Sequence, residues 1–287
     1  MRTLFVGSSF AAIALFIACS PACSLTSDLG GLSGGADPVD GASMTLAAEG
    51  GPATDGSTTT DAPSDTGAAN AYAAVVLADA PVAYYRFEDP SDANAATDEL
   101  GTHPANVTAR GVTFGANGVA GHAVTLDGNA GLDVGDAFDF AGKQPFTLEI
   151  WVKATTSKLD GQLFLKRDER VASDFKGYIL YAGGAGDPHF EGWGVDLSAW
   201  NDDPLPTAAF AHVVLTVSYA SGKGNATLYV NAQPATHGGF DNVLDLADTP
   251  QPLRIGETFV GLMDEAAIYD KVLPPDRILA HYRAGKP

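Results

Sequence analysis

An all-β, antiparallel two-sheet β-sandwich with a short C-terminal helix is the fold predicted for this chain of 287 residues, on three observations. Apolar side chains recur at every second position in many short runs. Gly, Asp, Asn and Pro separate those runs, and helical spacing emerges only near the C-terminus. Charge narrows the function. Lys and Arg total 16 against 35 Asp and Glu, a formal net charge of -19, which opposes nucleic acid as a partner. The two cysteines, Cys19 and Cys23, both precede the strand-like runs. The body therefore has no disulfide framework, thiolate zinc site or cysteine nucleophile.

Residues 1–18 carry one charge, Arg2, and then an apolar run from Phe10 to Ile17. That is the length of an export signal and is short for a membrane span. The Phe16-Ile17-Ala18-Cys19 sequence resembles the lipobox of bacterial lipoproteins, which implies cleavage before Cys19 and lipidation of its sulfur, with Cys23 as a second candidate. Ordinary signal cleavage and secretion is the alternative. No other run is long and apolar enough to span a bilayer, so membrane attachment is expected through the lipid anchor only. Residues 19–71 are expected to be a disordered tether. From Ser24 to Ala71 they reduce largely to Gly, Ala, Ser, Thr, Asp and Pro, with no Lys or Arg, too little apolar surface to offset chain entropy. A coil of about 48 residues spans roughly 40 Å.

Residues 72–287 form the expected globular domain. Strand-like runs occupy Val82 to Glu88, His122 to Leu126, Phe146 to Lys153, Leu163 to Lys166, Gly177 to Ala182, His212 to Tyr219, Ala226 to Asn231, Leu253 to Ile255 and Val260 to Tyr269. In the third of these Phe146, Leu148, Ile150 and Val152 alternate with Thr147, Glu149, Trp151 and Lys153, so one face turns inward. Ser221-Gly222-Lys223-Gly224 predicts a hairpin joining the runs on either side. In the last run the apolar set jumps from Met263 to Ala266, which predicts a β-bulge at Asp264-Glu265. Ile278, Leu279 and Tyr282 then fall at helical spacing, so a helix is expected over Arg277 to Arg283, ending at Gly285. Trp151 is expected to pack beneath it.

The runs beginning Val82-Ala83-Tyr84-Tyr85-Arg86-Phe87-Glu88, Phe146-Thr147-Leu148-Glu149-Ile150-Trp151 and Gly261-Leu262-Met263-Asp264-Glu265, with Gly128 to Val134, His212-Val213-Val214 and Leu228-Tyr229-Val230-Asn231 between them, resemble the successive strands of laminin G-like jelly rolls. That family lies within the concanavalin A-like lectin and glucanase superfamily. The resemblance implies two curved antiparallel sheets with the first and last strands adjacent. It implies a fold and not an activity.

Glycoside hydrolases of such folds need closely placed carboxylates, which on one strand face appear as acid-x-acid. No Asp/Glu-x-Asp/Glu occurs in the chain, so no catalytic residue is assigned and a hydrolase is the less favoured reading. No Gly-x-Ser-x-Gly elbow is present, and the six histidines lack the i, i+4 spacing of a helix-borne metal pair.

Calcium, which takes six to eight hard oxygens, is the one cofactor expected. By analogy with related jelly rolls the candidate ligands are Glu88, Asp264 and Asp127, with Asp89 nearby. The competing reading has Glu88, Asp264 and Glu265 satisfying backbone N–H groups at the bulge or pairing with Arg86 and Arg254. For ligand binding, Gly183 to Thr207 reads as a loop-rich stretch mixing aromatic and polar residues. Trp193, Trp200, Asp196, Asn201 and Asp202 are the candidates there, because aromatic faces cover the C–H side of a sugar while carboxylates and amides bond its hydroxyls. Core or loop packing of the two tryptophans is the alternative.

The expected protein is thus a monomeric, non-catalytic carbohydrate-binding or adhesion module at the bacterial cell surface, partnered by a glycan or a cell-surface protein, in the outer membrane by its anchor or else secreted.

Overall fold

The computed structural model describes residues 65–156, 161–168, 176–193, 197–221, 223–235, 237–238 and 246–286. The proposed signal at 1–18, Cys19, Cys23, most of the tether, Asp196 and the turn residue Gly222 lie outside the described residues.

In chain order the elements are α1 (Asp65–Leu77), β1 (Ala83–Tyr85), β2 (Ala95–Ala96), β3 (Ala105–Val107), β4 (Val112–Asn117), β5 (His122–Asp127) and β6 (Leu132–Gly135). Then come β7 (Phe146–Ala154), β8 (Gly161–Asp168), β9 (Lys176–Ala182), β10 (Pro188–Trp193), β11 (Leu197–Trp200) and β12 (Ala211–Ala220). The chain continues with β13 (Lys223–Val230), β14 (Gln233–Pro234), β15 (His237–Gly238), β16 (Leu253–Ile255), β17 (Val260–Tyr269) and α2 (Pro275–Gly285). Two antiparallel sheets result. Sheet one runs β14-β13-β12-β7-β17-β5-β4 with β1 beside β17, and sheet two runs β15-β11-β10-β9-β8-β16-β6-β3-β2.

Alternation builds the interior. Leu148, Ile150 and Val152 of β7, Val213, Leu215 and Val217 of β12, and Met263, Ala266 and Ile268 of β17 meet Leu163, Phe164, Tyr178, Leu180, Phe190 and Ile255 of sheet two in one core. The first and last strands are adjacent, with Ala83 opposite Ile268. β12 and β13 pair as the hairpin expected, with Ala220 opposite Lys223; Lys223 and Gly224, read as part of the turn, belong to β13. The bulge also lies where the apolar spacing put it, as a register shift between Asp264 and Ala267. There β17 changes neighbours, from β5 on one side of the bulge to β1 on the other.

Three features differ from expectation. The boundary at Tyr72 falls inside α1, whose buried Ala69, Tyr72, Ala73 and Val76 follow helical spacing in a segment too alanine-rich to register as apolar. Of the outward side chains of β7, Thr147 and Glu149 are buried as well as Trp151, which packs beneath α2 as expected, because α1 and α2 cover sheet one over Trp151, Val214, Ala267 and Tyr269. The stretch read as loop-rich contains β10 and β11, which pair with each other and extend sheet two; its interspersed Gly, Asp and Pro mask the alternation. Among the described residues no helix is long and apolar enough to cross a membrane.

Candidate functional site

The two outer faces of the sandwich differ. Helices cover sheet one, whereas the outward side chains of β9, β10 and β11 belong to neither buried apolar cluster. Phe190 and Ala199 turn into the core, so their neighbours His189 and Trp200 turn outward. Register then aligns four rings in one row: Tyr181 is opposite His189, His189 opposite Trp200, and Trp200 opposite His237. Ring centroids along the row are 5.4, 6.4 and 4.6 Å apart, with interplanar angles of 27°, 8° and 8°.

Carboxylates fix these rings. Asp187 bonds His189 Nε2, Asp202 Oδ2 lies 2.7 Å from His237 Nε2, and the Tyr181 hydroxyl donates to Glu191 at 2.7 Å. The rings stand parallel, so the faces of Trp200 lie toward His189 and His237, and the row offers outward edges flanked by carboxylate acceptors. An edge row can hold a ligand along its length by van der Waals contacts and hydrogen bonds, which differs from the single flat platform expected of a tryptophan.

Beside the row, Leu165, Arg167, Asp168, Arg254 and Glu257 line a depression of about 340 Å³. Burial pulls the Arg167 guanidinium below the usual arginine range, opposed by the charge of Glu191 and by Tyr181.

The expected ligand set divides accordingly. Trp200 is in the row and Asp202 holds one of its rings. Asn201 is turned to its own loop, its side-chain amide donating to the Asp203 carbonyl at 3.3 Å. The Trp193 backbone pairs with Gly177 at the end of β10. His189, Asp187 and Glu191 lie in the stretch that the sequence singles out, whereas Tyr181 and His237 escape sequence reasoning because register with separate strands, β9 and β15, brings them to the row.

The expected calcium ligands also divide. Asp264 is fully buried, and its Oδ2 accepts from the backbone N–H groups of Val119 at 2.7 Å and Ala120 at 3.3 Å. Glu88 closes on the other end of the same turn, accepting from the His122 N–H at 3.0 Å with its second oxygen 2.7 Å from His122 Nδ1. A methyl group at Gly118 would overlap the Asp264 carboxylate, and one at Gly121 (φ +99) the Glu88 carboxylate. Asp127 stands apart, capping the Asn129 N–H at 2.9 Å, opposite Val260 at the start of β17.

Glu265, at φ +51 in the bulge, accepts from the Tyr84 hydroxyl and lies 3.6 Å from Arg86 Nε. The bonding to backbone N–H groups and Arg86 weighed against calcium is therefore present. Arg254 instead pairs with Asp133 and Glu257. Among the described residues no three His, Cys, Asp or Glu side chains converge as a metal site. Even so, Asp264 Oδ1 and Glu265 Oε1 are buried without a hydrogen-bond partner. Burial first, and then the charge of Glu88 on Asp264 and of Asp264 on Glu265, push both carboxyls well above their usual range. Carboxylate oxygens left without a hydrogen bond are hard donors of the kind a cation such as calcium takes.

Behind sheet one sits a third polar cluster. Glu149, fully buried, lies 2.7 Å from His212 Nε2 and 2.9 Å from His281 Nδ1, and accepts from the Tyr269 and Tyr72 hydroxyls at 3.0 and 3.4 Å. The other nitrogen of His281 is 2.8 Å from Asp79, which Arg277 also binds. These contacts fasten both helices to the sheet.

A family model described as Laminin_G_3, concanavalin A-like lectin/glucanases superfamily, matches residues 126–279. No curated protein matches the chain in sequence. Among solved structures, domain 4 of AbnA, a GH43 extracellular arabinanase from Geobacillus stearothermophilus, in complex with arabinotriose, is similar at TM-score 0.52 and 18% identity over 70% of this chain and 98% of that one. The binding domain of Paraclostridial Mosquitocidal Protein 1 is similar at TM-score 0.54 and 16% identity, covering 72% of this chain and 52% of that one. Trypanosoma rangeli sialidase in complex with 2,3-difluorosialic acid is similar at 0.51 and 15%, covering 70% and 32%. The chain thus spans about half and a third of the latter two. At these identities the likenesses show the fold, which binding domains and glycosidases share.

Proposed function

This chain belongs to the concanavalin A-like lectin/glucanase superfamily, and from that premise we propose that it is a non-catalytic glycan-binding module whose ligand lies along the outer face of sheet two. The observation that carries this reading is the cross-strand row of Tyr181, His189, Trp200 and His237, each outer ring held by a carboxylate. Ring edges pack against the sugar by van der Waals contact, and Asp187, Glu191, Asp202 and Arg167 meet its hydroxyls. The arabinotriose complex of AbnA domain 4 supports the glycan class, since that entire domain aligns with this one. The row's carboxylates already serve as ring partners, which supports binding over hydrolysis.

A glycan array probed with the full chain tests the proposal. Retention on a neutral oligosaccharide class, without release of reducing sugar, is expected; no retention on any glycan transfers the function to a protein partner, and sugar release makes the chain a hydrolase. We further place the module at the bacterial surface on a lipid-modified Cys19. Fatty-acid labelling of cells should mark the wild type and not Cys19→Ala; persistent label assigns the anchor to Cys23, and an unlabelled wild type makes the protein secreted.

Calcium is proposed at Asp264 and Glu88, over the turn from Gly118 to Gly121, without Asp127. A cation there offsets the charge that pushes the Asp264 and Glu265 carboxyls upward. Calcium at about 100 times its Kd should stabilise the wild type by roughly 2.7 kcal/mol, read as a rise in melting temperature, and should leave Asp264→Asn unmoved. An equal rise in both proteins removes Asp264 from the site.

A further inference from the structure

We infer that the cleft between α2 and the outer face of sheet one is a second ligand site, one that takes an acidic oligosaccharide. Its cavity, about 650 Å³, lies within the size range of small-ligand sites. Trp151, Phe210 and Tyr282 supply apolar walls, and Lys153, Lys286 and Asn231 supply polar groups. Among the described residues no Asp or Glu lines it, although the chain as a whole carries a formal net charge of -19.

The wall is preorganised. Trp151 Nε1 donates to the Tyr72 hydroxyl at 2.8 Å, and the indole stacks on Tyr282 at 5.9 Å and 17°. Asn231 Oδ1 accepts from the His212 N–H at 3.0 Å, which leaves the Asn231 amide as donor to a ligand. Lys153 ends the outward row of β7 that begins with the buried Thr147, Glu149 and Trp151, at the point where helical cover gives way to the cavity. Lys286 Nζ stands 5.6 Å from the centre of the Tyr282 ring.

Among the described residues neither Lys153 nor Lys286 forms an ion pair with a carboxylate. Two uncompensated ammonium groups beside aromatic walls match an anion carried on a ring with an apolar C–H face. A uronate and a sulfated sugar share that chemistry. The ring row on sheet two is different, since its flanking groups Asp187, Glu191 and Asp202 are carboxylates that repel such a ligand.

The test titrates the full chain by calorimetry with a uronate oligosaccharide, a sulfated oligosaccharide and a neutral one of equal length. At least one acidic sugar should bind, more weakly as salt rises, and the arm that binds identifies the anion. Lys153→Gln with Lys286→Gln should weaken that binding roughly tenfold or more, while an unchanged melting temperature shows the fold intact. Trp200→Ala should leave it unchanged. Equal binding of the neutral sugar at this cleft, wild-type affinity in the double lysine variant, or loss of acidic-sugar binding in Trp200→Ala each overturns the inference. Neutral-glycan retention that depends on Trp200 stands or falls separately, so failure here is distinguishable from failure of the sheet-two site.

Discussion

Glu149→Ala should lower unfolding free energy by about 3 to 5 kcal/mol, the cost of removing one partner from a buried charged pair, which for a domain of this size is a fall of roughly 10 °C in melting temperature. The carboxylate is the shared acceptor of His212, His281, Tyr269 and Tyr72, and its removal leaves those donors buried between α1, α2 and sheet one. Burial alone would raise the Glu149 carboxyl, but His281 and His212 outweigh it and hold the group well below the usual carboxylate range. Burial likewise lowers His281, while Glu149 and Asp79 reverse this and carry it above its usual 6.5.

The signs of these shifts give a pH window. A carboxyl depressed in the folded state contributes fully above its unfolded value of 4.5 and loses that contribution as pH falls. A histidine raised in the folded state contributes fully below 6.5 and loses that contribution as pH rises through its folded value. The stability difference between wild type and Glu149→Gln should therefore peak between pH 4.5 and 6.5. Denaturant titrations across pH check it; a pH-independent difference would make the contacts of Glu149 purely steric.

Trp200→Ala should weaken glycan retention by roughly a hundredfold, the loss expected of a central aromatic anchor worth about 2 to 3 kcal/mol. Trp200 occupies an inner position of the row, between His189 at 6.4 Å and His237 at 4.6 Å, so its loss interrupts the rail rather than shortening it. The fold should survive, because Trp200 is half-buried on the outward face and takes no part in the core. His189→Ala should weaken binding in the same direction. Asn201→Ala should leave binding unchanged, since that amide serves the Asp203 carbonyl. An Asn201 effect equal to that of Trp200 would restore the loop itself as the binding element.

The contrast between Trp200 and Asn201 shows where sequence ceases to speak. Strands with strict alternation, such as β7 and β12, are legible because burial of one face is a local pattern, and the bulge is legible because three-residue spacing breaks it. α1 is hidden by alanines, which favour helix but add little apolar contrast. Glu149 looks like a solvent-facing residue, since nothing within β7 announces that two helices, one near each end of the domain, will close over it. The aromatic row has no linear signature, as register alone brings one ring from each of four strands into line.

The central claim is that the outer face of sheet two is the glycan face. Hydrogen–deuterium exchange of the full chain, with and without a retained neutral oligosaccharide, tests it directly. Slowed exchange should concentrate in β9, β10 and β11, around Tyr181, His189 and Trp200. Protection confined to sheet one and its helices, with those three strands unchanged, would contradict the account.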